Sequence, residues 1–264
     1  MPDANDHGAA QRLHDLLVRL FGAAPEATLE TWDGARAGTD DRVVVRMNSR
    51  RGVRRLLWAP GDRGVVQAYV LGELDVRGDF ARAVALLHDY ADFVGPKRTL
   101  DPAGRREVLR TTVLLGAVGP APRSPGFALD AVGGYSPVGL QMQDVLDRPL
   151  AADVFGETGP DLERSVLESS DPQVEQYFVT SLEPLSALVR SWEEAGIALV
   201  GVGLISDEFA STLSSWAEGI EREWDRIVRT VGEQQARLWR VSLALDIEGF
   251  RRERIRAYRV TGRR

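Results

Sequence analysis

Residues 196–231, GIALVGVGLISDEFASTLSSWAEGIEREWDRIVRTV, decide the fold of this chain. Ile197–Val202 is an apolar run of strand length, and such a run predicts a buried parallel strand. Ser206, Asp207 and Glu208 then supply a cap and first-turn acids to a helix. Its stripe is Phe209, Leu213, Trp216, Ile220, Trp224 and Ile227, at steps of four and three, and Gly232 ends it. Upstream, a helix from about Pro172 or Leu182 to Ala195 stops at Gly196, placed as a C′ glycine. Downstream, a helix through Leu238, Trp239, Val241 and Leu245 precedes an alternating strand, Ile255–Val260. Helix–strand–helix–helix–strand is the expected closing portion of an open α/β sheet.

The amino-terminal part reads as a separate α+β module. Leu13, Leu16, Leu17, Leu20 and Phe21 mark an amphipathic helix. Thr28–Trp32 and Arg42–Met47 predict two strands that pair around the Asp33–Asp41 turn region. Ser49 is placed to cap a helix through Val53, Leu56, Leu57 and Trp58, stopped by Pro60-Gly61. A second helix spans Asp62 to Leu71, and Gly72 and Gly78 bracket an extended piece. Asp79 starts a helix whose apolar face is Phe80, Val84, Leu87 and Tyr90-Ala91. After a helix at Pro102–Leu115, residues 116–137 are rich in glycine and proline and read as loop or linker. Short pieces follow at Gly139–Val145 and Pro160–Leu167. Three segments result: 1–98, a reduced middle at 99–170, and 171–264.

The 264 residues hold enough apolar side chains for one large or two small cores. A net charge of -6 argues against a nucleic-acid partner. With no cysteine, disulfides, thiolate metal sites and cysteine nucleophiles are excluded. The start, MPDANDHGAAQ, has neither a basic nor an apolar run, so no secretory leader is expected. No run approaches ~18 apolar residues, so no membrane span is expected. A cytoplasmic protein is the resulting expectation. The excess of arginine over lysine, with abundant Ala, Gly and Val, points to a GC-rich bacterial genome.

Several motifs share an order and spacing with one family. They are Arg54-Arg55-Leu56-Leu57, Ala68-Tyr69 and Gly72-Glu73-Leu74-Asp75-Val76 near the amino terminus. Later come Tyr177-Phe178, Glu194-Ala195-Gly196-Ile197, Thr212-Leu213 with Trp216, Val231-Gly232-Glu233, Arg237-Leu238-Trp239-Arg240 and Phe250. In these the chain resembles the cyclopropane-fatty-acyl-phospholipid synthases, of the S-adenosylmethionine-dependent methyltransferase superfamily, over roughly residues 10–98 and 175–264. The resemblance implies an α+β or α/β architecture: a small amino-terminal module followed by a truncated, partial methyltransferase-like sheet with long carboxy-terminal helices.

The chemistry of that family is missing from the pattern. Its members carry a V-L-D-x-G-C-G-W-G nucleotide loop, where glycine allows close approach of the backbone to the ligand. The nearest stretch here, Val113-Leu114-Leu115-Gly116-Ala117-Val118-Gly119-Pro120, lacks the acid and a third glycine and reads as a helix C-terminus. The family's H-Y-A-x-T-L-x-x-W segment aligns on Glu208 to Trp216. Glu208 therefore stands for a histidine and Phe209 for a tyrosine that, by the resemblance, hold the bicarbonate serving as general base. A carboxylate repels an anion and a phenyl ring offers no donor. His7, His14 and His88 all precede residue 89. About 80 residues separate the matching blocks, too few for the nucleotide half-sheet at ~30 or more per βαβ unit.

The expectation is therefore a degenerate relative with no cofactor and no metal. It would act as a lipid- or acyl-chain-binding pseudoenzyme or as partner of an intact methyltransferase. One alternative is a repurposed enzyme that uses an inherited apolar cavity for a methyl-donor-independent reaction, such as cyclisation, on a polyketide or acyl substrate. Another is a subunit of a heteromeric lipid methyltransferase. Candidate catalytic groups are Glu208 and, in Gly133-Gly134-Tyr135-Ser136, the Tyr135 hydroxyl. Tyr69, Phe209, Trp216 and Trp239 are candidate acyl-groove residues, although an aromatic stripe at helical spacing also reads as core. Glu73 and Asp75 read as turn-capping or ion-paired acids, and His88 as structural. Arg50-Arg51, Arg54-Arg55, Arg251–Arg256 and Arg263-Arg264 suit either a salt-bridged face or peripheral contact with anionic headgroups, at ~1 kcal/mol each. A homo-oligomer is compatible with the sequence.

Overall fold

Gly34 sets the topology of the first sheet. Its φ of 79° turns the chain sharply, and Asp33 locks the turn by accepting from the Thr31 hydroxyl at 2.6 Å and the Ala35 N–H at 3.2 Å. The other oxygen of Asp33 accepts from the Ala9 N–H at 3.1 Å, which satisfies an open donor at the start of the first helix. The Thr31 hydroxyl, helped by these backbone donors, holds the Asp33 carboxyl below its ordinary range. The computed structural model describes residues 8–21, 24–38, 40–59, 62–94, 102–123, 161–169 and 182–264. The chain forms two compact units, Met1–Pro125 and Gly126–Arg264, so the division falls within the 99–170 segment set apart by sequence.

In the first unit, α1 (Ala9–Phe21) precedes β1 (Thr28–Thr31), β2 (Arg36–Ala37) and β3 (Val43–Met47). Then come α2 (Arg50–Trp58), α3 (Asp62–Val70), β4 (Leu74–Gly78), α4 (Phe80–Val94) and α5 (Pro102–Leu114). The sheet order is β2-β1-β3-β4. The two expected strands do pair, but in parallel, with Thr28 opposite Val44 and Thr31 opposite Met47. The turn at Gly34 sends β2 back along the outer edge of β1, so β3 starts again from the same end. Ser49 makes no side-chain cap to α2. Leu13 and Leu16 of α1 and Phe80, Val84 and Leu86 of α4 are buried, while Leu87 is only partly so. Ala27, Val43 and Leu86 form one cluster under the sheet. Each such aliphatic side chain contributes roughly 1.5–3 kcal/mol of burial.

In the second unit, β5 (Asp161–Ser169), α6 (Leu185–Glu194), β6 (Ala198–Leu204), α7 (Ser206–Arg222), α8 (Trp224–Val231), α9 (Glu233–Arg251) and β7 (Ile255–Arg263) follow in order. Among the described residues the sheet runs β5-β7-β6 with both pairings antiparallel. Its β5 and β7 strands are covered on both faces, while β6 is exposed. Val166 and Val260 pack with Leu188 and Trp192 of α6, whereas Leu167, Ile255 and Ala257 pack with α7 to α9. The alternation of side chains along a strand divides neighbours between the two layers in this way. The fold is thus mixed α+β, as expected.

Three local readings are corrected. Ile197–Val202 does not form a buried parallel strand: β6 is an antiparallel edge, with Val200 56% and Leu204 64% exposed. The long helix breaks at Glu223, before Gly232, which splits the stripe between α7 and α8. Ser206 does not cap α7; its hydroxyl accepts from the Ala257 N–H of β7 at 3.0 Å. Gly196 is as expected. It has a φ of 73° at the C′ position of α6, with Gly196 N–H to Glu193 O at 3.0 Å and Ile197 N–H to Trp192 O at 2.8 Å.

Candidate functional site

The stretch most like a nucleotide loop ends α5. Gly116 has a φ of 63°; its N–H donates to Val113 O at 2.9 Å and that of Ala117 to Thr112 O at 2.9 Å. This pair of bonds is a Schellman cap, which uses the backbone donors on the helix's own last carbonyls. Arg50 and Arg54 of α2 close over Gly116 and Gly119: a Cβ added at Gly116 would lie 3.0 Å from Arg50 Nη1, and one at Gly119 would strike Arg54. Cations beside a helix C-terminus are electrostatically favoured. The glycines are accounted for by a turn and by packed guanidinium groups.

Glu208 and Phe209 sit in the first turn of α7 and point apart. The Glu208 side chain is 69% exposed and faces Arg259 Nη2 at 3.5 Å, while Arg259 Nε also pairs with Glu163 at 2.8 Å. Phe209 is buried against Phe250, with ring centroids 5.4 Å apart. Trp216 and Trp239 share its cluster with Leu213, Ile220 and Leu243. Tyr69 lies in the first unit, buried beside Phe80 at 5.1 Å. Tyr135, with its Gly133–Ser136 segment, lies outside the described residues, as do His7, Tyr177-Phe178 and the Gly139–Val145 piece. The structure therefore brings Phe209, Trp216 and Trp239 together and leaves Glu208 on the surface.

Glu73, from the motif most like the family, is the centre of a buried network. Arg55, only 2% exposed, donates from Nε to Glu73 Oε2 at 2.7 Å and from Nη2 to Oε1 at 3.0 Å. Arg55 Nη1 also reaches Gln67 Oε1 at 3.4 Å and the Arg123 carbonyl at 3.1 Å. Arg51 adds a second cation at 3.0 Å from Glu73 Oε1. A bidentate, fully partnered pair of this kind fixes α2, α3 and β4 in register. Asp75 accepts from the Val76 N–H at 2.9 Å. His88 is buried with Nδ1 3.1 Å from Val84 O, a structural role.

Asp246 is the group the sequence pattern did not flag. It is 4% exposed on α9, its Oδ1 has no hydrogen-bond partner among the described residues, and burial pushes its carboxyl well above the ordinary 3.8. Trp239 Nε1, two turns earlier on the same face, is also buried without a partner. The signal was available: Asp246 is the lone acid within Val241–Ile247. A further feature is an open groove of about 630 Å³ between α6 and the exposed edge, lined by Leu185, Val189, Leu199 and Val202 with Glu168, Arg190 and Glu193. The Leu185 N–H donates to Glu168 Oε1 at 3.3 Å, so the carboxylate of β5 serves the start of α6. No described helix is long and apolar enough to cross a membrane.

No family model and no curated protein matches the chain. Among solved structures it is similar to mycolic acid cyclopropane synthase CmaA1 in its apo form, at 14% identity and a TM-score of 0.37, over 50% of this chain and 54% of that one. The same synthase complexed with SAH and CTAB gives 14% identity and a TM-score of 0.37, over 63% and 68% of the two chains. The chain thus spans about half the length of the apo synthase it matches.

Proposed function

We propose that this protein is a cyclopropane-synthase-like chain that does not use S-adenosylmethionine and associates with lipid or acyl chains without catalysing methyl transfer. The observation that carries this reading is the fate of Val113–Pro120. Its backbone donors close the end of α5, and its glycines lie under Arg50 and Arg54. A cofactor there would have to displace both guanidinium groups and a helix cap. Glu208 and Phe209 support the same conclusion, one turned to Arg259 in solvent and the other built into the core. Neither holds an anion. The open hollow beside α6, where Leu185, Val189, Leu199 and Val202 are apolar, is the surface we assign to acyl-chain contact. Calorimetric titration of the purified full chain with S-adenosylmethionine should give no binding heat up to millimolar ligand. Micromolar binding would refute the reading. Co-purification of an intact methyltransferase would turn it into the partner role.

Asp246 favours a second reading, a repurposed enzyme. A buried carboxyl whose affinity for its proton is raised is the type of group a general acid requires, and Asp246 has one oxygen unpartnered among the described residues. The filled cluster around Trp216 and Trp239 argues for the first reading.

A further inference from the structure

The first unit presents a surface whose chemistry the pseudoenzyme reading does not use. The residues of α2 together with 102–123 hold eight arginines and one acid, Glu107, in a chain whose net charge is -6. Arg55 is turned inward onto Glu73, and Glu107 is engaged by Arg19 at 3.5 Å and Arg110 at 4.0 Å. The same stretches expose large apolar side chains: Trp58 60%, Leu109 64%, Val113 57%, Leu114 46% and Val118 58%. Leu109 and Val113 are one turn apart on α5. Trp58 lies beside Val118, because its Nε1 donates to the Gly119 carbonyl at 3.1 Å, and Arg50 of the same helix reaches Gly116 at the end of α5. Arg51 also pairs with Glu73, so the surplus of cations rests on number, eight arginines against one acid in these stretches.

We infer that the face formed by α2 and the end of α5 is a docking surface for an anionic membrane. Exposed Leu and Val among arginines, with a tryptophan at the rim, match an interface where apolar side chains enter the acyl boundary and guanidinium groups meet phosphates. A nucleic acid would take the arginines but gain nothing from Leu109, Val113 and Val118. This face lies within the first unit and stands apart from the methyl-donor question: it holds even for a protein that binds S-adenosylmethionine.

The test is co-sedimentation of the full chain with phosphatidylcholine vesicles, with and without about 30% phosphatidylglycerol, a content that sets the surface potential. Binding is expected to the anionic vesicles at least about tenfold above the neutral ones, and to fall in high salt. Arg106→Gln with Arg110→Gln should lower partitioning by roughly 30-fold, about fivefold for each of the two charges removed. Leu109→Asp with Val113→Asp, at exposed positions that leave the fold intact, should lower it at least about tenfold. Equal binding to both vesicle types, no binding to either, or full binding by the Leu109/Val113 variant would overturn the proposal. Tighter binding to single-stranded DNA than to vesicles would do the same.

Discussion

In the first unit Glu73 is buried with Arg55 held bidentately, Arg51 beside it and Gln67 completing the guanidinium. In the second unit Asp246 is buried with Oδ1 unpartnered among the described residues, on a helix whose neighbours Leu245, Ile247 and Phe250 are apolar. A paired acid organises the elements around it, and removing one partner leaves the other charge uncompensated. An acid shifted by burial alone holds its proton to higher pH than the unfolded chain does, which lowers stability as pH rises above the ordinary 3.8. Glu73 thus does structural work, and the acid whose affinity for its proton is raised lies outside the family-like motifs.

The sharpest way to break this contrast is Glu73→Gln. Leaving Arg55 buried opposite a neutral amide should cost about 3–5 kcal/mol, read by urea unfolding or by loss of amide protection in α2 and β4. A change below about 1 kcal/mol would mean that the network does not organise the unit. Trp216→Ala comes next. As a member of the α7–α9 core it should cost about 3–5 kcal/mol through the cavity it leaves, with acyl-chain binding by the folded fraction unchanged. Weakened binding with intact stability would make Trp216 a ligand contact instead.

Asp246→Asn tests the other half of the comparison, and its sign follows from the raised carboxyl. The folded state retains a proton that the unfolded chain releases above 3.8, so wild-type stability declines as pH climbs from there through the folded value. The variant has no such decline. It should be more stable by about 1–3 kcal/mol at pH 7 and converge with wild type near pH 4, as thermal unfolding across pH would report. A variant that is less stable at pH 7 would show that Asp246 has a partner worth keeping. Glu208→Gln should change least, within about 0.5 kcal/mol, because its side chain is 69% exposed and its contact with Arg259 is long. A change above about 1 kcal/mol would place Glu208 in the fold's framework.

The sequence made the helices and their C-terminal glycines legible, because glycine at a C′ position and apolar spacing are local signals, whereas the serine N-caps expected at Ser49 and Ser206 do not form. Gly72, Gly116 and Gly196 all end helices with positive φ. Strand direction was not legible, since the relation of β1 to β3 depends on where β2 folds back, and nothing in Arg42–Met47 encodes that. The exposure of β6 escaped for a related reason: Ile197–Val202 has the composition of a central strand, but its place at the sheet edge is set by β7, more than fifty residues later. Phe209 and Trp216 share one helical stripe in the sequence and lie in one core cluster with Trp239, whereas Tyr69 lies in the first unit. Glu208 is marked in the sequence only by a resemblance, and Asp246 only by being the single acid within the apolar stretch Val241–Ile247.

The measurement closest to the central claim is a methyl-transfer assay with the isolated full chain, methyl-labelled S-adenosylmethionine and vesicles of an unsaturated phospholipid. With Gly116 and Gly119 under arginines and Phe209 in the core, no label should enter the lipid above a protein-free control. Labelled cyclopropane or methyl-branched acyl chains formed by this protein alone would contradict the account.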